Sequence, residues 1–253
     1  VKTNTPPLIE LRKVSMYRGE RAVLHDISWT TRRGEHWFLM GNNGSGKTTL
    51  MEVVMGYLWP QAGSVTVLGK RFGRVYLQDL RRRIGYVSPW IFKHLGDHVP
   101  VEDVIASGTD ASVGYYDEIT PALQERIDRL LDFFHSLELV KRRFGTLSSG
   151  QQLKVILARS LINDPDIIIL DEPFSLLDIG SRLSMYHYVE KLCAEMRGPQ
   201  LLLVTHHLED ILAPFSHGLL LKAGSIFKQG PRQEVLSTDT LRAAFDLPED
   251  AVL

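Results

Sequence analysis

"GNNGSGKT", residues 41 to 48, decides the fold. It fills G-x-x-x-x-G-K-[ST] at every fixed position, after the apolar run "EHWFLM" and before the helical stretch "KTTLMEVVMG". A strand feeding a glycine loop and then a helix start is a phosphate cradle, because the exposed N–H groups and the helix dipole favour negative charge. Gly41, Gly44 and Gly46 let the backbone turn tightly, with Asn42, Asn43 and Ser45 completing the loop around a β-phosphate. Lys47 supplies a cation to the β- and γ-phosphates. Thr48 offers its hydroxyl to Mg²⁺, and Thr49 can reach the α-phosphate. The expected ligands are ATP and Mg²⁺.

Two apolar runs further along carry the rest of such a site. "IIILDEP" places Asp171 and Glu172 at the carboxyl end of a buried strand, where open α/β sheets bind their ligands. Asp171 can hold Mg²⁺ through water, and Glu172 can accept a proton from an attacking water. "LLLVTHH" repeats the geometry and sets His206 at the γ-phosphate, whereas His207 reads as a surface or packing residue.

"LSSGQQ", residues 147 to 152, is a second candidate phosphate-binding helix start, with Ser148, Gly150 and Gln151 at its head. It lies too far from Lys47, across a helical stretch, to serve the same nucleotide within one chain. A head-to-tail pair removes the difficulty, with Ser148 and Gly150 of one copy facing the γ-phosphate held by the other. The alternative is plain: Ser148 or Ser149 can cap a helix unaided.

The surrounding pattern is α/β. "LIELRKVSMY", "AVLHDISWTT" and "GSVTVLGKRF" read as strands, and residues from about 99 to 165 as helical. Leu123, Ile127, Leu130, Leu131 and Phe134 follow helical spacing, as do Leu153, Ile156, Leu157, Leu161 and Ile162. "IIIL" and "LLLV" suit parallel strands covered on both faces, separated by a helix from Ser181 to Met196, and "GLLLKAGSIFKQG" a closing hairpin. The expected organisation is one domain over 1–253. An α/β core with an antiparallel β subdomain takes 1–89 and 166–240, an inserted helical subdomain 90–165, and a short tail 241–253.

Composition closes off other classes. Lys plus Arg is 29 and Asp plus Glu 30, so no global field points to nucleic acid, and none is expected as a partner. The single cysteine, Cys193, excludes an intrachain disulfide and a cysteine-rich metal site, and fits a reducing compartment. The apolar runs are strand-sized rather than membrane-sized, and "VKTNTPPLIEL" lacks a signal-peptide core. A cytoplasmic location is expected, with any membrane role exercised through a partner.

Taken in order, GNNGSGKT, LSSGQQ, IIILDEP, SLLD and VTHH resemble the ATP-binding subunit of the ABC superfamily over nearly the whole chain. The resemblance implies an ABC-type P-loop NTPase fold and ATP hydrolysis. It also implies a homodimer or paired ABC domain formed on ATP binding, and a membrane permease subunit as partner, at the inner face of the cell membrane. It assigns Asp178 to the D-loop, His206 to the switch histidine, and Tyr17 to the aromatic that stacks on adenine. "ISW", "GEHW", "IGYVS" and "VTHHLEDI" look like molybdenum-transport and photorepair-type members, while "GSIFKQGPRQEVLSTDTLRAAFDL" looks more like iron-siderophore importer ATPases. An importer motor is therefore the leading expectation; a soluble ABC ATPase in regulation, repair or translation is the rival. Two departures stand out. Ser149 occupies the usual first glycine of the signature, and Ser88-Pro89-Trp90 stands where the family has a glutamine that contacts Mg²⁺ and water. Trp90, Phe92, Tyr115 and Tyr116 form a candidate apolar set for receiving a permease helix.

Overall fold

A computed structural model describes residues 6–194 and 198–248. In chain order the elements are β1 (Ile9–Arg18), β2 (Arg21–Thr31), β3 (Trp37–Met40), α1 (Lys47–Val54), β4 (Ala62–Val67), β5 (Lys70–Arg71), α2 (Leu77–Arg81), β6 (Ile84–Val87), α3 (Pro89–His94), α4 (Val101–Ala106), α5 (Pro121–Phe133), α6 (Ser149–Leu161), β7 (Ile167–Asp171), α7 (Ile179–Ala194), β8 (Gln200–Thr205), β9 (His217–Lys222), β10 (Ser225–Pro231), α8 (Arg232–Val235) and α9 (Thr238–Phe245). The chain forms two compact units. One ends at Leu80 and resumes at Gln200; the other runs Arg81–Pro199. The second unit therefore contains β6, β7 and α7 together with the helices between them. The α/β class and the antiparallel sheet are as expected from the sequence.

In the first unit, an antiparallel sheet has the order β2-β1-β4-β5. Strands β1 and β2 break strict alternation because Lys13 and Asp26 take left-handed φ values near 50°, and the pairing register shifts between Leu11 and Val14. These are bulges, which bend and twist a strand locally. "GSVTVLGKRF" reads as one run but folds as two strands. Leu68 and Gly69 both have positive φ, and Val67 pairs with Lys70, so the pair is a two-residue hairpin turn. Ala223 and Gly224 close β9 and β10 in the same way.

Strand β3 lies between β8 and β9, parallel to both, with Trp37 paired to Leu202 and to His217. Every residue of β3 and β8 is buried, as a sheet covered on both faces requires. The entry to β8 is clasped by Gln200. Its Oε1 accepts from Thr31 Oγ1 at 3.0 Å, and its Nε2 donates to the carbonyls of Arg32 and Glu35.

In the second unit β6 and β7 are parallel, with Val87 level with Leu170. The stretch expected to be helical from about 99 to 165 is interrupted. Pro100 and Pro121 each stand at a helix start, where a missing N–H costs nothing, and single turns of 3₁₀ helix fill the gaps at Ser107–Asp110, Leu137–Leu139 and Phe144–Thr146. Helix α5 is capped by Thr120 and buries Ile127 and Leu131. Helix α6 buries Leu153, Ile156 and Leu157 among others, each worth roughly 1.5–3 kcal/mol of transfer free energy. Helix α7 begins at Ile179, ahead of the Ser181 expected, and the expected end at Met196 lies outside the described residues. Helix α9, capped by Ser237, runs across position 241, where a short tail is expected to start; residues 249–253 lie outside the described residues.

Candidate functional site

The phosphate loop leaves β3 at Met40 and enters α1 at Lys47. Gly46 precedes the helix with φ 103°, a left-handed conformation that a side chain would strain, and a Cβ there would meet Leu24 Cδ2 at 2.8 Å and the Val23 carbonyl at 3.0 Å. The loop is thus packed on β2, at the end of the β1–β2 hairpin that carries Tyr17. Tyr17 is level with Ala22 and 41 % exposed, its backbone held by the Gln61 side chain at 3.1 and 3.3 Å. Gly224 N donates to Ser45 O at 3.1 Å, which ties the loop to the β9–β10 turn. Lys47 is buried, and its Nζ donates to Gly41 O at 2.7 Å and Asn42 O at 3.3 Å. Ser45 is buried too, and its Oγ has no hydrogen-bond partner among the described residues. Asn42, Asn43, Gly44 and Thr48 are exposed, while Thr49 is buried.

A buried orphan hydroxyl and a buried cation donating to loop carbonyls, at a helix start, make a donor set that fits a polyphosphate. The parallel register Met40 to Thr205 brings the next strand end to the same edge, so His206 follows β8 where Gly41 follows β3. His206 is exposed and packs on His207, ring centroids 3.9 Å apart. The turn beneath them is set by Thr205, whose buried Oγ1 donates to Asp210 Oδ2 at 3.0 Å and accepts from His207 N at 3.0 Å. Nothing in "VTHHLED" beyond a polar tail signalled that clasp.

The second unit holds the remaining expected residues. Asp171 ends β7 and is buried, with the Tyr86 hydroxyl donating to its Oδ2 at 3.2 Å. Glu172 takes φ 50°, a left-handed conformation that costs a non-glycine residue about 1 kcal/mol and turns the chain sharply out of the strand. Its carbonyl accepts from Ser175 Oγ at 3.0 Å, which closes that turn.

Ser148 caps α6 in a full capping box: its Oγ accepts from Gln151 N at 3.3 Å, and Gln151 Oε1 accepts from Ser148 N at 3.1 Å. The plain capping role is therefore present. Helix α6 is anchored by Arg159, which donates to Ser107 Oγ at 3.0 Å and Ser112 O at 2.6 Å, and by Gln152 to Phe144 O. A Cβ on Gly150 would meet Ser181 Oγ at 2.7 Å, so only glycine lets α6 approach α7 this closely. Ser181 in turn donates its N–H and its Oγ to Asp178, at 2.9 and 2.8 Å. Those two bonds hold the Asp178 carboxyl below the usual range, the backbone donor first. The structure thus gathers Ser148, Gly150, Gln151 and Asp178 at one end of two helices. Ser181, the link between them, was missed in the sequence, although the spacing D-x-x-S is that of a capped helix start. Leu176, Ile179 and Leu183 beside them are 65, 81 and 61 % exposed. Of the aromatic set, Tyr116 is 95 % exposed and Trp90 53 %, the latter stacked on His94 at 4.0 Å. Cys193 is held as a thiol, burial pushing it up to about 12.

A strand–P-loop–helix, a carboxylate pair ending a buried strand, and a glycine helix start define a nucleotide-binding cassette. The chain belongs to the ABC transporter family, whose model matches residues 24–175, and within it to the ATP-binding proteins. It is 36 % identical to an uncharacterized ABC transporter ATP-binding protein of Bacillus subtilis (strain 168), over 95 % of this chain and 92 % of that one. It is 35 % identical to the thiamine import ATP-binding protein of Jannaschia sp. (strain CCS1), over 83 and 88 %. Among solved structures, an ATP-binding cassette of an ABC transporter, MJ1267, superposes with a TM-score of 0.81 at 23 % identity, covering 95 % of this chain and 99 % of that one.

Proposed function

We propose that this chain is the ATP-hydrolysing motor of a membrane transporter, working as a head-to-tail pair and driving a separate permease chain. The observation that carries the pair is the cluster at the heads of α6 and α7. A glycine helix start, a fixed carboxylate and three exposed apolar side chains lie together there, and a second copy would cover them. ATP held by the loop of one copy would meet Ser148 and Gly150 of the other. A solved dimeric bacterial ABC transporter cassette, 25 % identical and superposing with a TM-score of 0.74, supports the arrangement. The importer direction draws support from relatives named for import of thiamine and of sulfate or thiosulfate.

Chemistry in such a site is positioning and electrostatics. Lys47 and the loop N–H groups hold the β- and γ-phosphates, and Tyr17 stacks on the base. Thr48 and Asp171 would each offer an oxygen to Mg²⁺, Asp171 through water, and the ion would neutralise phosphate charge when bound. Glu172 accepts the proton of the attacking water, while His206 steadies the γ-phosphate.

Glu172→Gln keeps the shape and removes the proton acceptor, so ATP should bind and persist. With ATP and Mg²⁺ this variant should shift from monomer to dimer in light scattering. Adding Ser148→Arg should abolish the shift and leave nucleotide binding intact. In that background, mixing Ser148→Arg subunits with Lys47→Ala subunits restores one composite site, so association should return. A mixture that stays monomeric, with both parents folded and the Glu172→Gln dimer present, removes the trans arrangement. A soluble ABC ATPase without a permease is the second reading, favoured by Ser88-Pro89-Trp90 at the usual glutamine position. ATPase activity that a co-expressed permease neither binds nor alters would favour it.

A further inference from the structure

Ser88 is 1 % exposed, and its Oγ makes no hydrogen bond among the described residues. An orphaned buried hydroxyl costs free energy that a core alanine would avoid. It stands at the N-cap of α3 but does not cap that helix, so capping does not account for it either. Its backbone, φ −154° and ψ 156°, simply prolongs β6.

That extension has a consequence for what lies beside it. Tyr86 is level with Ile169 and Val87 with Leu170, so Ser88 is level with Asp171 on the neighbouring strand. Side chains two residues apart on a strand share a face, and paired residues of parallel strands, about 5 Å apart, share it too. The Tyr86 hydroxyl on Asp171 Oδ2 marks that common face directly. Ser88, Tyr86 and Asp171 therefore form one polar edge at the carboxyl end of the β6–β7 pair. Tyr86 already uses its hydroxyl there, and that of Ser88 is unused among the described residues.

We infer that the Ser88 hydroxyl hydrogen-bonds a water in the shell of the Mg²⁺ ion that Asp171 holds, and so positions the hydrated metal. Mg²⁺ suits this role because it gives up its waters reluctantly and is bound largely through them. The inference rests on the nucleotide and Mg²⁺ chemistry proposed above, and makes Ser88 a positioning residue rather than a catalytic one.

The test uses the whole chain with a non-hydrolysable ATP analogue and Mn²⁺ as the probe, free Mn²⁺ being read by electron paramagnetic resonance. Losing one hydrogen bond into the shell should weaken Mn²⁺ binding by about fivefold in Ser88→Ala. Ser88→Thr, which keeps the hydroxyl, should stay close to the parent, and Asp171→Asn should lose more than Ser88→Ala. Affinity for the analogue without metal should be the same in the parent and both Ser88 variants. Ser88→Ala with parental Mn²⁺ affinity and a raised Tm overturns the inference, because the hydroxyl would then be a mere packing defect. A fall in metal-free nucleotide affinity overturns it as well, since the loop would be disturbed as a whole. If the alanine variant does not fold, Ser88→Cys preserves the volume with a weaker hydrogen bond and is read the same way. A parent that binds the analogue without binding Mn²⁺ overturns the inference alone; a parent that binds no nucleotide removes the functional reading beneath it.

Discussion

A lysine in a glycine loop is informative at the scale of one residue because of where its charge goes. Lys47 is buried, yet its ammonium is satisfied by the carbonyls of its own loop, Gly41 at 2.7 Å and Asn42 at 3.3 Å. Those bonds fix the ammonium within its own loop, as the proposed polyphosphate site requires. Lys47→Ala should therefore lower ATP affinity by about a hundredfold, since a charge-assisted contact is lost and the phosphate charge is left partly unmatched. A fluorescence titration giving parental affinity would strip the loop of its role. The loop, both strand-end carboxylates and His206 were all legible from local order alone. Ser88 was visible as a departure from a pattern, but its buried, unused hydroxyl was not, because burial is a property of neighbours.

At the scale of elements, helix starts are where sequence and structure meet most closely. "LSSGQQ" allowed a cap or a phosphate site, and the capping box shows that the cap is real. Ser148→Ala removes one of two reciprocal bonds and should cost about 1 kcal/mol in urea unfolding, with Ser148→Asp costing less. No change in the midpoint would contradict the capping account. Capping and a role in trans are compatible, since the box uses the Ser148 hydroxyl and the Gln151 N–H and does not involve Gly150. The interruptions of the helical region were less legible. Apolar spacing identified α5 and α6 correctly, yet the residues between them alternate turns too short to show a period.

Within the first unit, its two chain segments are joined by contacts without any local signal. Gln200, 3 % exposed, ties Thr31, Arg32 and Glu35 to the start of β8. Gln200→Ala would leave buried partners unsatisfied and should destabilise the protein by about 3 kcal/mol, visible as a lowered urea midpoint. A loss below about 1 kcal/mol would mean that water replaces the amide easily. The sequence reads this residue as one more polar position before an apolar run, because its partners lie some 165 to 169 positions away.

The sequence by itself determined the α/β class, the strand–loop–helix cradle, the buried strands and the identity of most candidate site residues. Each of these is written in neighbouring residues: glycine spacing, an apolar run and the polar group that ends it. Tertiary structure decided the rest. It set the bulges that reshape β1 and β2, the hairpin that splits "GSVTVLGKRF", the Tyr86 hydroxyl on Asp171, the Ser181 link between Gly150 and Asp178, and the edge that Ser88 shares with Asp171. The physical reason is range. Turn chemistry and helix caps act over a few residues, whereas register and close packing join groups whose separation along the chain carries no pattern.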